Sequence, residues 1–417
     1  MASSGNIAKW VADAVESTPV FDLHTHLYPP SFDQLNLWGI DELLTYHYLI
    51  AETFRLNDTI AYDTFWAMPK AKQADLIWQT LFIDNAPISE ACRGVLTVLQ
   101  KLGIDTASRN LDKIRKYFKK QTAEKYVDIV FKAANVHSVV MTNDPLNDLE
   151  RGYWEKKAKL DPRFKAALRI DPLLIGWPHV AKPLGQMGYK VQGDLKGQTM
   201  AEVRRYLEDW IERLQPLYVA VSLTPDWRYP DDSIATRIIQ ECVLPVTRKH
   251  NLPFALMVGV LRLVNPQLRL AGDAVGKSDI ESIHRICAGN PGNKFLCTML
   301  ARENTHELAV AARKHRNLMP FGCWWFLNNP SLIEEMTRIR MELLGPSFIP
   351  QHSDARVLDQ MVYKWSHSRQ VLAKVLTDKF NDLADTGWRV TKAEVKMTVE
   401  GYLDTNFTKF LDLKLPG

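Results

Sequence analysis

The feature that most constrains this chain is a repeated alternation. Eight short runs rich in apolar and β-branched residues lie at 19–23, 136–141, 166–170, 217–223, 254–258, 295–300, 318–321 and 348–350. Each is followed by polar or turn residues and then by a helical pattern. Runs that are apolar on both faces suit parallel strands covered on both sides, and their alternation with helices suits βαβ units. Eight such units close into a (β/α)8 barrel of the TIM type. The doubly wound sheet is the other α/β solution, but no glycine-rich dinucleotide turn follows any run. The rhythm breaks once. Residues 24–135 separate the first two runs, far more than one crossover helix needs, and carry helical patterns at 41–54, 71–81, 90–101 and 111–119. The expectation is a barrel built from residues 1–27 plus 131–417. A helical insertion over 28–130, carried by the first βα loop, would cap the catalytic face.

Composition narrows the function. A chain of 417 residues can bury its core without disulfides or a structural metal. With 46% hydrophobic and 24% charged residues, it is not a disordered or low-complexity sequence. The net charge is +4 with signs mixed. The densest basic stretch, 113–120, is interleaved with Ile114, Tyr117 and Phe118 as on a solvated helix face, so no nucleic-acid partner is expected. No apolar run is long enough to span a bilayer, and the Met-Ala-Ser-Ser-Gly-Asn start has no secretory pattern, so no membrane association is expected. Five cysteines without CxxC spacing read as reduced thiols of a cytoplasmic protein. A homo-oligomer is compatible with all of this.

The first run ends Phe21-Asp22-Leu23-His24-Thr25-His26. Residues two apart on a strand point the same way, so His24 and His26 form half of a first-row metal site. The last run leads into Gln351-His352-Ser353-Asp354-Ala355-Arg356. Across a closed barrel, Asp354 would face the first strand and complete a His24, His26, Asp354 set. Arg356, two residues on, can reach the same cavity and bind an anion. The bland alternatives are packed histidines and an Asp354 that caps a helix. His352 is out of phase and could serve as a ligand only through a strand bulge.

These segments resemble uronate (glucuronate) isomerases of the amidohydrolase superfamily. The matching segments, in family order, are His24-Thr25-His26-Leu27 with Pro29, His47-Tyr48, Thr142-Asn143-Asp144-Pro145, Leu168-Arg169, Gly259 with Leu261-Arg262, Gly322-Cys323-Trp324-Trp325-Phe326 and Ser353-Asp354-Ala355-Arg356. The resemblance implies a metal-dependent barrel that converts an aldose-type hexuronic acid into its ketose through an enediol. It implies His47, Tyr48 and Asp354 as catalytic groups. It implies Arg169, Arg262, Trp324, Trp325 and Arg356 as substrate contacts, and a divalent ion, zinc before manganese or iron, on His24, His26 and Asp354. The partner is then a small sugar acid. Three departures stand out. Met257 occupies a place where the family carries a histidine, Asn328-Asn329 follow Leu327 where it has Asn-Asp directly after Phe, and its fourth-strand acid corresponds here to Asp226. Two other readings fit the same barrel: metal-assisted hydrolysis or decarboxylation of another anionic substrate, and a non-catalytic binding protein.

Overall fold

Seven of the eight apolar runs become strands of one parallel sheet in the computed structural model, which describes residues 4–156 and 159–415. They are β1 (Val20–Thr25), β2 (Val136–Asn143), β3 (Phe164–Arg169), β4 (Val219–Leu223), β5 (Phe254–Val258), β6 (Phe295–Met299) and β7 (Leu318–Pro320). Their spatial order is their chain order, each pairing in parallel with the next. Every residue of β5 and β6 is buried, as all-apolar runs require. Two apolar layers result. Leu23, Val140, Ala167, Ala220, Ala255, Leu296 and Phe321 pack inside the curl of the sheet, and the surrounding helices bury a larger cluster against its outside.

The eighth run departs from expectation. It forms a single parallel bridge, Phe321 to Ile349, and no regular strand. Pro320 and Pro350 have no N–H to give to a ladder, and Asp354 has a left-handed backbone (φ 51°). The segment still touches both ends of the sheet. Ile349 N–H donates to Pro320 O (3.1 Å) and Gly322 N–H to Ile349 O (2.8 Å). On the other side Asp354 N–H donates to His24 O (3.1 Å) and His26 N–H to Ala355 O (2.7 Å). A buried carboxylate reinforces this junction. Asp22 on β1 accepts from Ser353 N–H (3.0 Å) and from Trp365 Nε1–H (2.8 Å) on the long helix Gln360–Asp385.

Helices do fill the stretch between β1 and β2, with one informative change. The helix expected over 41–54 is two, Ile40–Leu44 and His47–Leu56. Thr45 Oγ1 turns back to Asp41 O (2.7 Å), and Tyr46 is extended (φ −73°, ψ 145°). The break makes His47 the first residue of its helix. A short antiparallel hairpin, Val260–Leu261 with Ala274–Val275, leaves the end of β5. It is strapped to the insertion. Trp66 Nε1–H donates to Gln267 O (2.8 Å), and the Arg269 guanidinium lies 4.4 Å over the Trp66 ring.

The five cysteines are free and buried. Among the described residues no helix is long and apolar enough to cross a membrane. Met1–Ser3, part of the start considered above, lie outside the described residues.

Candidate active site

His24 and His26 sit at the end of β1 and Asp354 in the irregular eighth segment. The Asp354 Oδ1 atom lies 3.7 Å from His24 Nε2 and 3.3 Å from His26 Nε2. The hydrogen bonds behind each ring determine which nitrogen carries the proton. Tyr218 O–H donates to Leu23 O (2.8 Å), so its oxygen can only accept from His24 Nδ1–H (3.0 Å). Thr142 O–H donates to Thr25 O (3.2 Å), so it accepts from His26 Nδ1–H (2.8 Å). Both imidazoles therefore aim a bare Nε2 lone pair at the carboxylate. Burial keeps both neutral, pushing His24 down to about 3 and His26 well below its ordinary value.

Three acceptor atoms thus meet with no proton between them. Asp354 Oδ1 is buried and has no hydrogen-bond partner. All three ligand atoms lie within 4.8 Å of one another, and this is the one His/Cys/Asp/Glu grouping of that kind among the described residues. Lone pairs that converge this way are stable around a cation. The donor set of two imidazoles and one carboxylate fits a divalent metal, with the second partners that orient such ligands already in place.

The cavity in front of this point holds about 470 Å³ of atom-free space, including its mouth. Tyr46, His47, Arg169, Asp171, Arg262, Trp324, Trp325 and Arg356 line it, with Ser222 and Met257 from β4 and β5. Met257 is therefore on the cavity wall, as its place in the sequence implied. It can add dispersion contacts but no proton transfer. His47 Nε2 is buried without a partner, its ring 5.4 Å from Trp325. Tyr48 stands behind His47 (ring centroids 4.6 Å), its hydroxyl also buried and unpartnered. Asp226 is exposed in the loop after β4 and does not line the cavity; Ser222 faces it instead. His352 is fully buried beside His24 (ring centroids 5.3 Å) and is not part of the converging trio.

The three arginines differ in their partners. Arg169 Nη2 donates to Asp171 Oδ1 (2.7 Å) and Arg262 Nη1 to Asp273 Oδ2 (2.7 Å). Arg356 has no ion-pair partner among the described residues. Lys364, on the long helix, is 2% exposed, and its ammonium has no hydrogen-bond partner. It lies 5.8 Å from the centre of the Tyr48 ring, and burial pushes it down to about 8. Of the cavity's arginines, Arg356 is thus the one left without a carboxylate partner among the described residues, and its free charge favours an anionic substrate. Tyr46, Asp171, Ser222 and Lys364 were not anticipated.

One buried carboxyl beside the site gives a test of stability. Glu150 accepts from Tyr28 O–H (2.9 Å), Asn143 Nδ2–H (2.7 Å) and Asp144 N–H (3.0 Å). Burial outweighs these bonds and raises it to about 7. The folded chain therefore keeps a proton that the unfolded chain releases near pH 4.5. Its contribution is fully present below that pH and is lost as pH rises through 7. Glu150→Gln removes this dependence. Relative to the parent, the variant is expected to gain about 3 kcal/mol of unfolding free energy between pH 4.5 and pH 8. Denaturant titrations at both pH values measure it, and parallel curves would show that Glu150 ionises normally.

No protein-family model matches the chain, and no curated protein matches it. Solved structures do. A uronate isomerase from Bacillus halodurans C-125 is 52% identical, with a TM-score of 0.97 over 100% of this chain and 98% of that one. A uronate isomerase from Thermotoga maritima (15% identity, TM-score 0.78, 97% of each chain) shares the fold. So does a glucuronate isomerase from Caulobacter crescentus (12% identity, TM-score 0.75, 100% of this chain and 95% of that one). With half of its residues identical along its entire length to the first of these, and with a cavity of converging histidines and arginines, this chain belongs to the uronate isomerase family.

Proposed function

We propose that the protein isomerises an open-chain hexuronic acid of the D-glucuronate to D-fructuronate type. The observation that carries this reading is one cavity lined both by the converging His24, His26 and Asp354 and by Arg169, Arg262 and Arg356. The substrate has two poles, with a C1 aldehyde at one end and a carboxylate at the other. We assign the aldehyde end of the substrate to the two neutral imidazoles and the carboxylate, with Arg356 beside them, and its carboxylate end to Arg169 and Arg262.

The aldehyde acidifies the C2 proton. A base takes that proton, an enediol forms, and a proton returns at C1. Asp354 and His47 are the proton-handling groups at the aldehyde end, and Tyr48, expected as a third, stands behind His47 and positions it. Arg356 is the cation positioned for the enediolate charge, because no carboxylate among the described residues forms an ion pair with it. Arg169 and Arg262 hold the carboxylate pole, and Trp324 and Trp325 wall the sugar chain. A divalent ion held by His24, His26 and Asp354, zinc by its donor set, would supply Lewis acidity toward the substrate oxygens. We also read the eighth segment as closing the sheet into a (β/α)8 barrel, since its backbone bonds to both β7 and β1. The insertion over 28–130 then acts as a lid carrying His47 and Tyr48.

Arg169→Met tests the carboxylate pole. A lost charge-assisted hydrogen bond lowers kcat/KM for D-glucuronate by about 10–150-fold, with any turnover of a neutral aldose unaffected. Equal activity of the parent on acidic and neutral sugars would overturn this reading.

A further inference from the structure

Asp171 is an unused group in this cavity. It is 6% exposed and lines the cavity wall. One carboxylate oxygen, Oδ1, is engaged by Arg169 at 2.7 Å. The other, Oδ2, is buried and has no hydrogen-bond partner. A buried carboxylate oxygen without a partner is costly, and the cost is relieved when a ligand brings a donor to it. Asp171 lines the cavity beside the Arg169 guanidinium, so a ligand bound there is placed to bring that donor.

We propose that Asp171 Oδ2 accepts a hydrogen bond from the hydroxyl next to the substrate carboxylate, so that Arg169 and Asp171 together read an α-hydroxy acid. The proposal rests on Arg169 holding the carboxylate, as argued above. Its consequence is selection between substrate forms. In a hexuronic acid the hydroxyl beside the carboxylate is on C5. In the pyranose, that oxygen is closed into the ring and carries no hydrogen. A pyranose would therefore set ring-oxygen lone pairs against the Asp171 carboxylate, whereas the open chain offers an O–H. Asp171 thus admits the ring-opened acid, the form that carries the free aldehyde on which isomerisation depends. No covalent step is assigned to Asp171; it is a specificity-determining residue.

The test is a binding comparison by calorimetry on the metal-loaded enzyme. L-Gulonate is D-glucuronate with its aldehyde reduced, so it is acyclic and cannot isomerise. Its 2-deoxy analogue lacks only the hydroxyl beside the carboxylate. The parent enzyme is expected to bind L-gulonate about 10–150-fold more tightly than the deoxy acid. Asp171→Asn keeps an oxygen for Arg169 and presents an N–H in place of Oδ2. It is expected to shrink the preference to a few-fold, because a neutral N–H can still donate weakly to the hydroxyl oxygen, while holding the deoxy acid within about threefold of the parent. Arg169→Met is expected to weaken both acids. If Asp171→Asn weakens both acids equally, Asp171 only braces Arg169 and the proposal falls. It falls as well if the parent shows no preference. If Arg169→Met leaves both affinities unchanged while Asp171 still discriminates, the carboxylate assignment to Arg169 is the part that is overturned.

Discussion

Asp354→Asn is expected to remove metal and activity together. The carboxylate is the one anionic member of the converging trio, and both imidazoles beside it are neutral. An amide at this position offers a weak, uncharged oxygen. Losing an outer partner of a metal ligand already costs about 10–100-fold in affinity or activity. Loss of the ligand itself should exceed ~100-fold in metal affinity, and kcat/KM on D-glucuronate should fall at least as far. Elemental analysis after dialysis against a chelator, with parallel uronate assays, measures both. His352→Gln serves as the comparison. His352 is as deeply buried and touches His24, yet it stands outside the trio. Its metal content should stay near that of the parent. The reverse order would mean that the wrong residue of the eighth segment has been identified as the ligand.

Gly322→Ala is the second change with a large expected effect, and it acts on stability. Gly322 follows β7 with φ +64°, a conformation that costs an L side chain about 1–2 kcal/mol. A methyl group there would also fall 1.6 Å from His352 Nδ1 and 2.4 Å from its Cε1. His352 cannot retreat freely, because His24 and Phe321 flank its ring. Overpacking of this kind costs about 1–3 kcal/mol. The sum, roughly 2–5 kcal/mol, should appear as a lower denaturation midpoint. The displaced ring should also press on His24 and lower metal retention. A variant with the parent's midpoint would show that the segment around His352 is loosely held.

These two positions also show where sequence reading works and where it stops. β5 was legible at 254–258 because five consecutive apolar residues, buried on both faces, have few alternatives. His24 and His26 were legible because the two-residue period of a strand makes them neighbours. The same period was present in Arg169-Ile170-Asp171, yet Asp171 was passed over. A lone acid after an arginine looks like an ordinary surface pair until the fold buries it. The break at Thr45–Tyr46 was missed because the helical patterns on either side of it, Asp41–Leu44 and Leu49–Phe54, read as one, although Thr45, Tyr46, His47 and Tyr48 are weak helix formers. Tertiary contacts decide the matter, bringing Tyr46 and His47 to the cavity. Lys364 lies in a helical pattern in which any lysine reads as solvated, and only the packing of the long helix against the site removes its water. The regular eighth strand was an overreach of the apolar pattern. Pro350 and the left-handed Asp354 interrupt the ladder at the point where the chain turns its carboxylate toward β1.

The junction between β1 and the eighth segment also bears on how the molecule is made. The Asp22 to Ser353 bond joins residues 331 apart in sequence, and the Asp22 to Trp365 bond spans 343. Such contacts require closure of nearly the whole chain, which slows their formation relative to local helix and βαβ pairing. During synthesis the first strand emerges with His24 and His26 exposed, long before the carboxylate that completes their site exists. A nascent chain therefore offers the two imidazoles without the third atom of the trio. The trio comes together only when the two ends of the sheet have met.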